Sequence, residues 1–400
     1  MPASHTALVC NIVNLQRTLG GAEVYTMSFA RAARATGCRV VLYVNRAAGF
    51  WSHLAHDDIA VVAVADAAQV LAGLAPGAWI VTQAPVPASF VEAARALHRL
   101  TGFCHMPLTG RHAGVLARYH QVYAVSDYVA STLAPAGVDC GYGEPLYGIA
   151  EFARGADGGA QPIHARSPYS WDRRKWRDRA LSLLAPLAGL ASRPARFERK
   201  PGSLVLGIVS GIGPIKQFDV LFGLIAGHIA RHADVVLEVF GHGGYRSVAD
   251  FRKALGPLRS RTRFWGHQDR PGDIYPSLDF LMAGLPEKEA LGLNVLEAQA
   301  LGVPVLAVDA APFTETVRDG VTGLFYPDPR GDGGAGFARV FERARAGFTF
   351  DQAAARDHLA KFSPASFAAR VARLVAAEGA RATLPVALPG RTDPILAVEH

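Results

Sequence analysis

Four hundred residues exceed a single compact core, so two domains plus connecting chain are expected, and with 50% hydrophobic and 19% charged residues the chain is globular, not disordered. No stretch approaches the ~20 apolar residues that span a bilayer, Met1–Thr6 lacks a basic leader, and Ala7–Val13 is too short for a signal core, so the expected compartment is the cytoplasm. The formal charge of +7 is concentrated in residues 171–200, which hold nine Lys and Arg against three acids; this points to one anionic partner surface and away from a nucleic-acid-coating protein.

In chain order, the first half alternates short β-branched runs with amphipathic stretches. Strands are predicted at Ala7–Val13, Cys38–Val44, Trp79–Val81, Thr101–His105 and Gln121–Val125, with helices at Ala22–Ala35 and Asp127–Leu133. Cys10, Cys38, Cys104 and Cys140 are far apart without CxxC spacing, and predict neither a disulfide nor a zinc site. Residues 151–202 then break the pattern with Gly, Pro and Arg, including Ser170-Trp171-Asp172-Arg173-Arg174-Lys175-Trp176. The βα grammar resumes with strands at Leu204–Val209, Val235–Phe240, Arg263–Trp265 and Val305–Val308, and helices at Phe218–His232, Val248–Leu255 and Asn294–Leu301. Strands alternating with helices mean parallel sheets, so the fold class is α/β with two Rossmann-like domains. The expected layout is a first domain over 1–150, a basic linker or insertion over 151–202, a second domain over 203–380, and a poorly ordered tail over 381–400. Helices near Phe337–Ala346, Gln352–Lys361 and Pro364–Ala377 are assigned to the second domain.

Ligands of open parallel sheets bind at the carboxyl ends of strands, where helix N-termini offer free amides. Leu19-Gly20-Gly21-Ala22-Glu23 opens the first helix after strand one, and either brings backbone close to a ligand or makes a tight turn. Glu289-Ala290-Leu291-Gly292-Leu293-Asn294-Val295-Leu296-Glu297 starts another helix at Gly292, with one acid before it and one within it. Carboxylates accept paired sugar hydroxyls well. By spacing alone, a helix-terminal charge and an exposed helical acid fit equally.

The stretch Glu289–Ala307 resembles the EGFGLxxLEAMAxGxPVIA signature of the retaining GT-B glycosyltransferases of glycosyltransferase family 4, with the acids of the E-x7-E motif on Glu289 and Glu297. Leu19–Glu23, Val122–Leu133 and Glu315–Phe325 resemble the same family in the right order, so the likeness covers most of 7–150 and 203–378. It implies a GT-B fold, two Rossmann-like domains facing an interdomain cleft. It further implies that Glu289 binds donor-sugar hydroxyls, Glu297 the nucleotide ribose, and Gly292, Leu293, Asn294 and Val295 the sugar and diphosphate. Lys216, in Gly213-Pro214-Ile215-Lys216-Gln217, matches the family's diphosphate lysine, and His105 the cleft histidine that contacts the sugar; with Glu289 they form the expected catalytic set. Gly20 and Gly21 join the donor-binding set. Trp265 and His267, ending a second-domain strand, would line the nucleotide pocket, although Trp265 fits core packing equally. One departure is Gly211, in the run where the family usually has an arginine.

The resemblance implies transfer of a hexose-type sugar from a nucleotide-sugar to an acceptor hydroxyl with retention, without metal or other cofactor, in cell-envelope, exopolysaccharide or glycolipid synthesis. The alternative is a non-catalytic sugar-nucleotide-binding partner of another transferase. A dinucleotide-dependent oxidoreductase is disfavoured, because the glycine runs at 207–213 and 241–244 do not read as G-x-G-x-x-G. The acceptor would be a glycan or lipid-linked molecule held by the first domain. In 171–200, Trp176, Ala180, Leu183, Leu184 and Leu187 share a helical face among Arg173, Arg174, Lys175, Arg177 and Arg179, which suits an anionic membrane surface and peripheral attachment at the inner face of the plasma membrane. A solvated structural linker fits the same residues, and Pro186 interrupts the helix.

Overall fold

In the computed structural model the described residues are 8–17, 19–54, 59–110, 113–138, 144–148, 161–170 and 195–382. They fall into two compact units, those of Met1–Gly148 with Pro364–His400 and those of Ile149–Ser363.

The first unit contains the strands Val9–Asn14 (β1), Arg39–Asn45 (β2), Ala60–Val64 (β3), Trp79–Thr82 (β4), Arg99–Cys104 (β5) and Gln121–Ala124 (β6). They pair in parallel in the order β3-β2-β1-β4-β5-β6, with Cys10 opposite both Val40 and Trp79. Between them run Gly21–Ala35 (α1), Trp51–Leu54 (α2), Ala67–Ala72 (α3), Ala88–Leu97 (α4) and Asp127–Leu133 (α5). Parallel strands buried on both faces need near-continuous apolar runs, which Val-Cys-Asn-Ile-Val and Arg-Val-Val-Leu-Tyr-Val supply.

The second unit repeats the plan. Leu204–Val209 (β7), Val235–Phe240 (β8), Thr262–Gly266 (β9), Phe280–Met282 (β10), Val305–Val308 (β11) and Gly323–Tyr326 (β12) form a parallel sheet in the order β12-β11-β10-β7-β8-β9. Its helices are Phe218–Ala230 (α6), Tyr245–Ala254 (α7), Leu293–Ala300 (α8), Phe313–Thr316 (α9), Pro329–Asp332 (α10), Ala335–Arg345 (α11) and Gln352–Ala360 (α12). Successive strand residues point to opposite faces. Leu206, Ile208, Leu237 and Val239 therefore pack on α6, α7 and α11 through Phe222, Phe251 and Phe337. Val205, Val209, Val305 and Ala307 face the other core, with Tyr275, Val295 and Phe313.

Two assignments of the chain to domains change. The last helix, Pro364–Ala382 (α13), belongs to the first unit and packs along α1, not to a second domain ending at 380. Phe367, Val371, Leu374 and Val375 form its buried stripe at helical spacing, and Phe367 meets Tyr25 edge-on at 5.4 Å. Arg370 and Arg373 both reach Glu144, and Arg99 donates to the Glu378 carbonyl at 2.8 Å. Of 151–202, expected as a linker or insertion set apart from the second domain, the described parts are integral to the second unit. His164 and Arg196 bridge antiparallel, the Tyr169 hydroxyl accepts from Arg252 at 2.9 Å, and Arg199 pairs with Asp279 at 2.8 Å. Arg196 and Arg199 of the basic run are thus tied to this unit. Residues 171–194, with the Trp176 face, and Cys140, His112 and 383–400 lie outside the described residues.

Candidate active site

The site in the second unit is assembled where the sheet order reverses, between β7 and β10. After β7 the chain turns through 210–217 into α6. Lys216 is fixed there because the Leu285 amide donates to its carbonyl at 3.1 Å. That approach requires Gly284, where a Cβ would lie 2.4 Å from the Lys216 oxygen. After β10 the chain runs through Glu289 to Gly292, whose φ of 82° places it in the left-handed region as the N-cap of α8. The amides of Val295 and Leu296 both donate to the Gly292 carbonyl, while those of Leu293 and Asn294 precede the first intrahelical bond and face the N-terminal end.

Lys216 donates to Glu289 Oε2, and both side chains are largely shielded, 20% and 13% exposed. Glu289 also accepts from the Ala290 amide at 3.2 Å. One turn into α8, Glu297 Oε2 accepts from the Tyr275 hydroxyl at 2.5 Å. Burial pushes the Glu297 carboxyl above its ordinary range, while the Tyr275 hydrogen bond and the Lys216 charge pull it back. Burial, with the Glu297 charge and its hydrogen bond, holds the Tyr275 hydroxyl well above the ordinary tyrosine range, so it stays a donor. Lys216, Glu289, Glu297 and the Gly292–Val295 turn, expected from different stretches of sequence, are therefore one cluster. Tyr275 was not foreseen; nothing in its local pattern marks it, since it points to α8 only through the fold.

Trp265 does not present itself to a ligand. It is 3% exposed, stacks with Phe240, meets Phe197 edge-on, and donates its indole N–H to the buried Glu238 at 2.7 Å. Glu238 also holds Arg263 at 2.9 Å, so one cross-strand acid accounts for both side chains. His267 is exposed beyond β9, and its ring meets that of His242 at 5.2 Å.

The remaining candidates lie in the first unit. Gly20 caps α1 in extended conformation and Gly21 is its first residue. A side chain at Gly20 would come 3.3 Å from Glu23 Oε2, and Glu23, itself buried, accepts from Asn14 Nδ2 at 3.3 Å. His105 follows β5 and stands edge-on to Tyr25 of α1, 4.8 Å between centroids. Burial pushes its pKa down to about 4, and its Nε2 is buried with no hydrogen-bond partner among the described residues. It is a neutral imidazole at neutral pH.

Residues 203–343, which contain Lys216, Glu289, Tyr275 and Glu297, match the family described as glycosyl transferases group 1. The D-inositol 3-phosphate glycosyltransferase of Rhodococcus erythropolis is 32% identical over 146 residues, 34% of this chain and 33% of that protein. The phosphatidyl-myo-inositol mannosyltransferase of Mycobacterium tuberculosis is 32% identical over 140 residues, 34% of this chain and 36% of that protein. The chain thus spans about a third of the length of the curated relatives it matches. Among solved structures, Anabaena HepE in complex with UDP and glucose shares the fold at a TM-score of 0.65 and 16% identity, covering 92% of this chain and 100% of that one. The sucrose-phosphate synthase of Thermosynechococcus elongatus does so at 0.63 and 13%, covering 94% and 100%. The two Rossmann-like units share the GT-B fold with these structures, and residues 203–343 carry the group 1 glycosyl transferase match.

Proposed function

We propose that this protein transfers a hexose-type sugar from a nucleotide-sugar to an acceptor hydroxyl with retention of anomeric configuration. The observation that carries the reading is the cluster of Lys216, Glu289 and Glu297 around the open N-terminus of α8, within the matched residues. An acid held by a lysine suits sugar hydroxyls, a second acid set one turn along suits a ribose diol, and free amides with a lysine suit a diphosphate. In this reading Lys216 offsets the charge that grows on the leaving diphosphate, and rate comes from this pre-set electrostatics. His105, being neutral, contacts the donor sugar as a hydrogen-bonding group and does not act as a cation. Transfer proceeds without metal; the leaving diphosphate itself assists deprotonation of the acceptor. We further propose a glycan or lipid-linked acceptor, a role in cell-envelope or exopolysaccharide synthesis, and a cytoplasmic site with peripheral attachment through 171–200.

Retention is tested by proton NMR of the first product formed from an α-linked nucleotide-sugar: an α-glycoside is expected, and a β-glycoside contradicts the reading. Turnover is expected to be unchanged by chelator. A second reading, a non-catalytic sugar-nucleotide-binding partner, draws on Gly211, which leaves the β7–α6 turn without a second cation. Donor binding with neither transfer nor hydrolysis across acceptors would favour it.

A further inference from the structure

Lys216 is engaged by Glu289, and Glu297 adds another acid, so formal charge at the candidate site is negative before a ligand arrives. A nucleotide-sugar brings two further negative charges on its diphosphate, which calls for another cation nearby. The neighbouring turn carries a side chain that can become one. β7 and β8 pair in register as far as Val209 and Phe240, and the pairing continues into the turns beyond them. The Ser210 amide donates to the Phe240 carbonyl at 3.0 Å and the Ile212 amide to the His242 carbonyl at 2.9 Å. Gly241 permits this closeness, since a Cβ there would lie 1.9 Å from the Ser210 oxygen. His242 is thereby fixed beside the turn that leads to Lys216, next to Gly211, which has no side chain.

We propose that His242, backed by His267, is the second cationic contact to the donor diphosphate and takes up a proton when the donor binds. This rests on the nucleotide-sugar reading above. From β9 the group facing His242 is His267, which has Asp269 at 4.0 Å; Asp269 is in turn paired with Arg166 at 2.8 Å, and Arg166 also donates to the His267 carbonyl. Of the other charged groups on the elements around it, Arg246 at the start of α7 is exposed and set toward Asp250 at 3.6 Å, and Lys216 in the β7–α6 turn is paired with Glu289. Burial first, and then the charge of His267, hold the His242 pKa below 6.5 in the free protein. A diphosphate favours the charged imidazole and raises that pKa. Between the free and bound values, binding consumes a proton, so affinity strengthens as pH falls.

The test is calorimetry of the full chain at pH 6, 7 and 8, each in two buffers of different ionisation enthalpy. The probe is whichever of UDP-, GDP-, ADP- and dTDP-glucose raises the melting temperature most; a nucleotide-sugar is used because its esterified diphosphate does not titrate in this range. Wild type is expected to bind on the order of tenfold tighter at pH 6 than at pH 8, with up to one proton taken up. His242→Gln should bind weakly at every pH with no uptake. His242→Arg should bind tightly and independently of pH, showing that the charge and not the fold was lost. Wild-type affinity that is flat from pH 6 to 8, or proton uptake that persists in His242→Gln, overturns the role of His242 and leaves the function standing. Failure of every nucleotide-sugar to bind overturns both.

Discussion

The Tyr275 hydroxyl fixes the half-buried Glu297 carboxylate of the candidate site. Losing the hydroxyl in Tyr275→Phe leaves one carboxylate oxygen unpaired in a shielded place, which costs about 1–2 kcal/mol. Thermal unfolding should report that loss, and nucleotide affinity should fall about tenfold because Glu297 is no longer oriented. Lys216→Ala strands Glu289 in the same way and also removes the charge proposed to face the leaving diphosphate. It should lower kcat at least ~100-fold, with a smaller effect on the Michaelis constant. His105 gives a different signature. Its folded pKa, about 4, lies below its unfolded value near 6.5, so the unfolded chain binds more protons between those values. The stability it contributes is present above pH 6.5 and is lost as pH falls toward 4, on the order of a few kcal/mol in all. Denaturant titrations of His105→Phe should show a shallower decline over that window, and equal slopes for the two proteins would contradict the assignment.

At the scale of elements, α8 is placed by Gly292 and held by Gln299, whose amide donates to the Val295 and Thr316 carbonyls at 2.9 and 2.8 Å. Gly292→Ala must keep a φ of 82° with its Cβ 3.3 Å from Phe313 and Val295, and should cost at least ~1 kcal/mol while misaiming the Leu293 and Asn294 amides. Leu374→Ala should destabilise the first unit by about 2–5 kcal/mol, because α13 buries that side chain completely. That helix also marks where sequence reading stops. Periodicity showed an apolar face over Pro364–Ala377 but could not say which sheet it covers, because the partner is 200 residues or more away in the chain. Long β-branched runs were legible, and β7, β8 and β11 have the expected bounds. β10 and β12, of three and four residues, carry too little pattern to read, and β3, Ala-Val-Val-Ala-Val at a sheet edge, does not alternate. Glu289, Glu297 and Lys216 were legible through the family signature; Tyr275 was not, because its partner is 22 residues on. Trp265, for which core packing and pocket lining stood equal, has a signal that favours the core: it shares strand parity with Arg263, and both reach Glu238.

At the scale of the whole chain, the candidate donor groups of the second unit stand on one continuous segment that also carries the family match, while Gly20, Gly21 and His105 stand in the first unit. Among the described residues no helix is long and apolar enough to cross a membrane. The two units share the fold of structures only 13–16% identical, so the architecture is far more widely kept than the side chains. Function therefore has to be argued from the site and not from the fold. The central claim is that Glu297 and its neighbours form a nucleotide-sugar site. It is tested most directly by thermal-shift titration of the wild type and Glu297→Ala with UDP-, GDP-, ADP- and dTDP-sugars. One nucleotide class should stabilise the wild type, by about 2.7 kcal/mol at a hundredfold excess over Kd, with the substitution abolishing the shift. Absence of stabilisation by every nucleotide-sugar, or equal stabilisation of the two proteins, would contradict it.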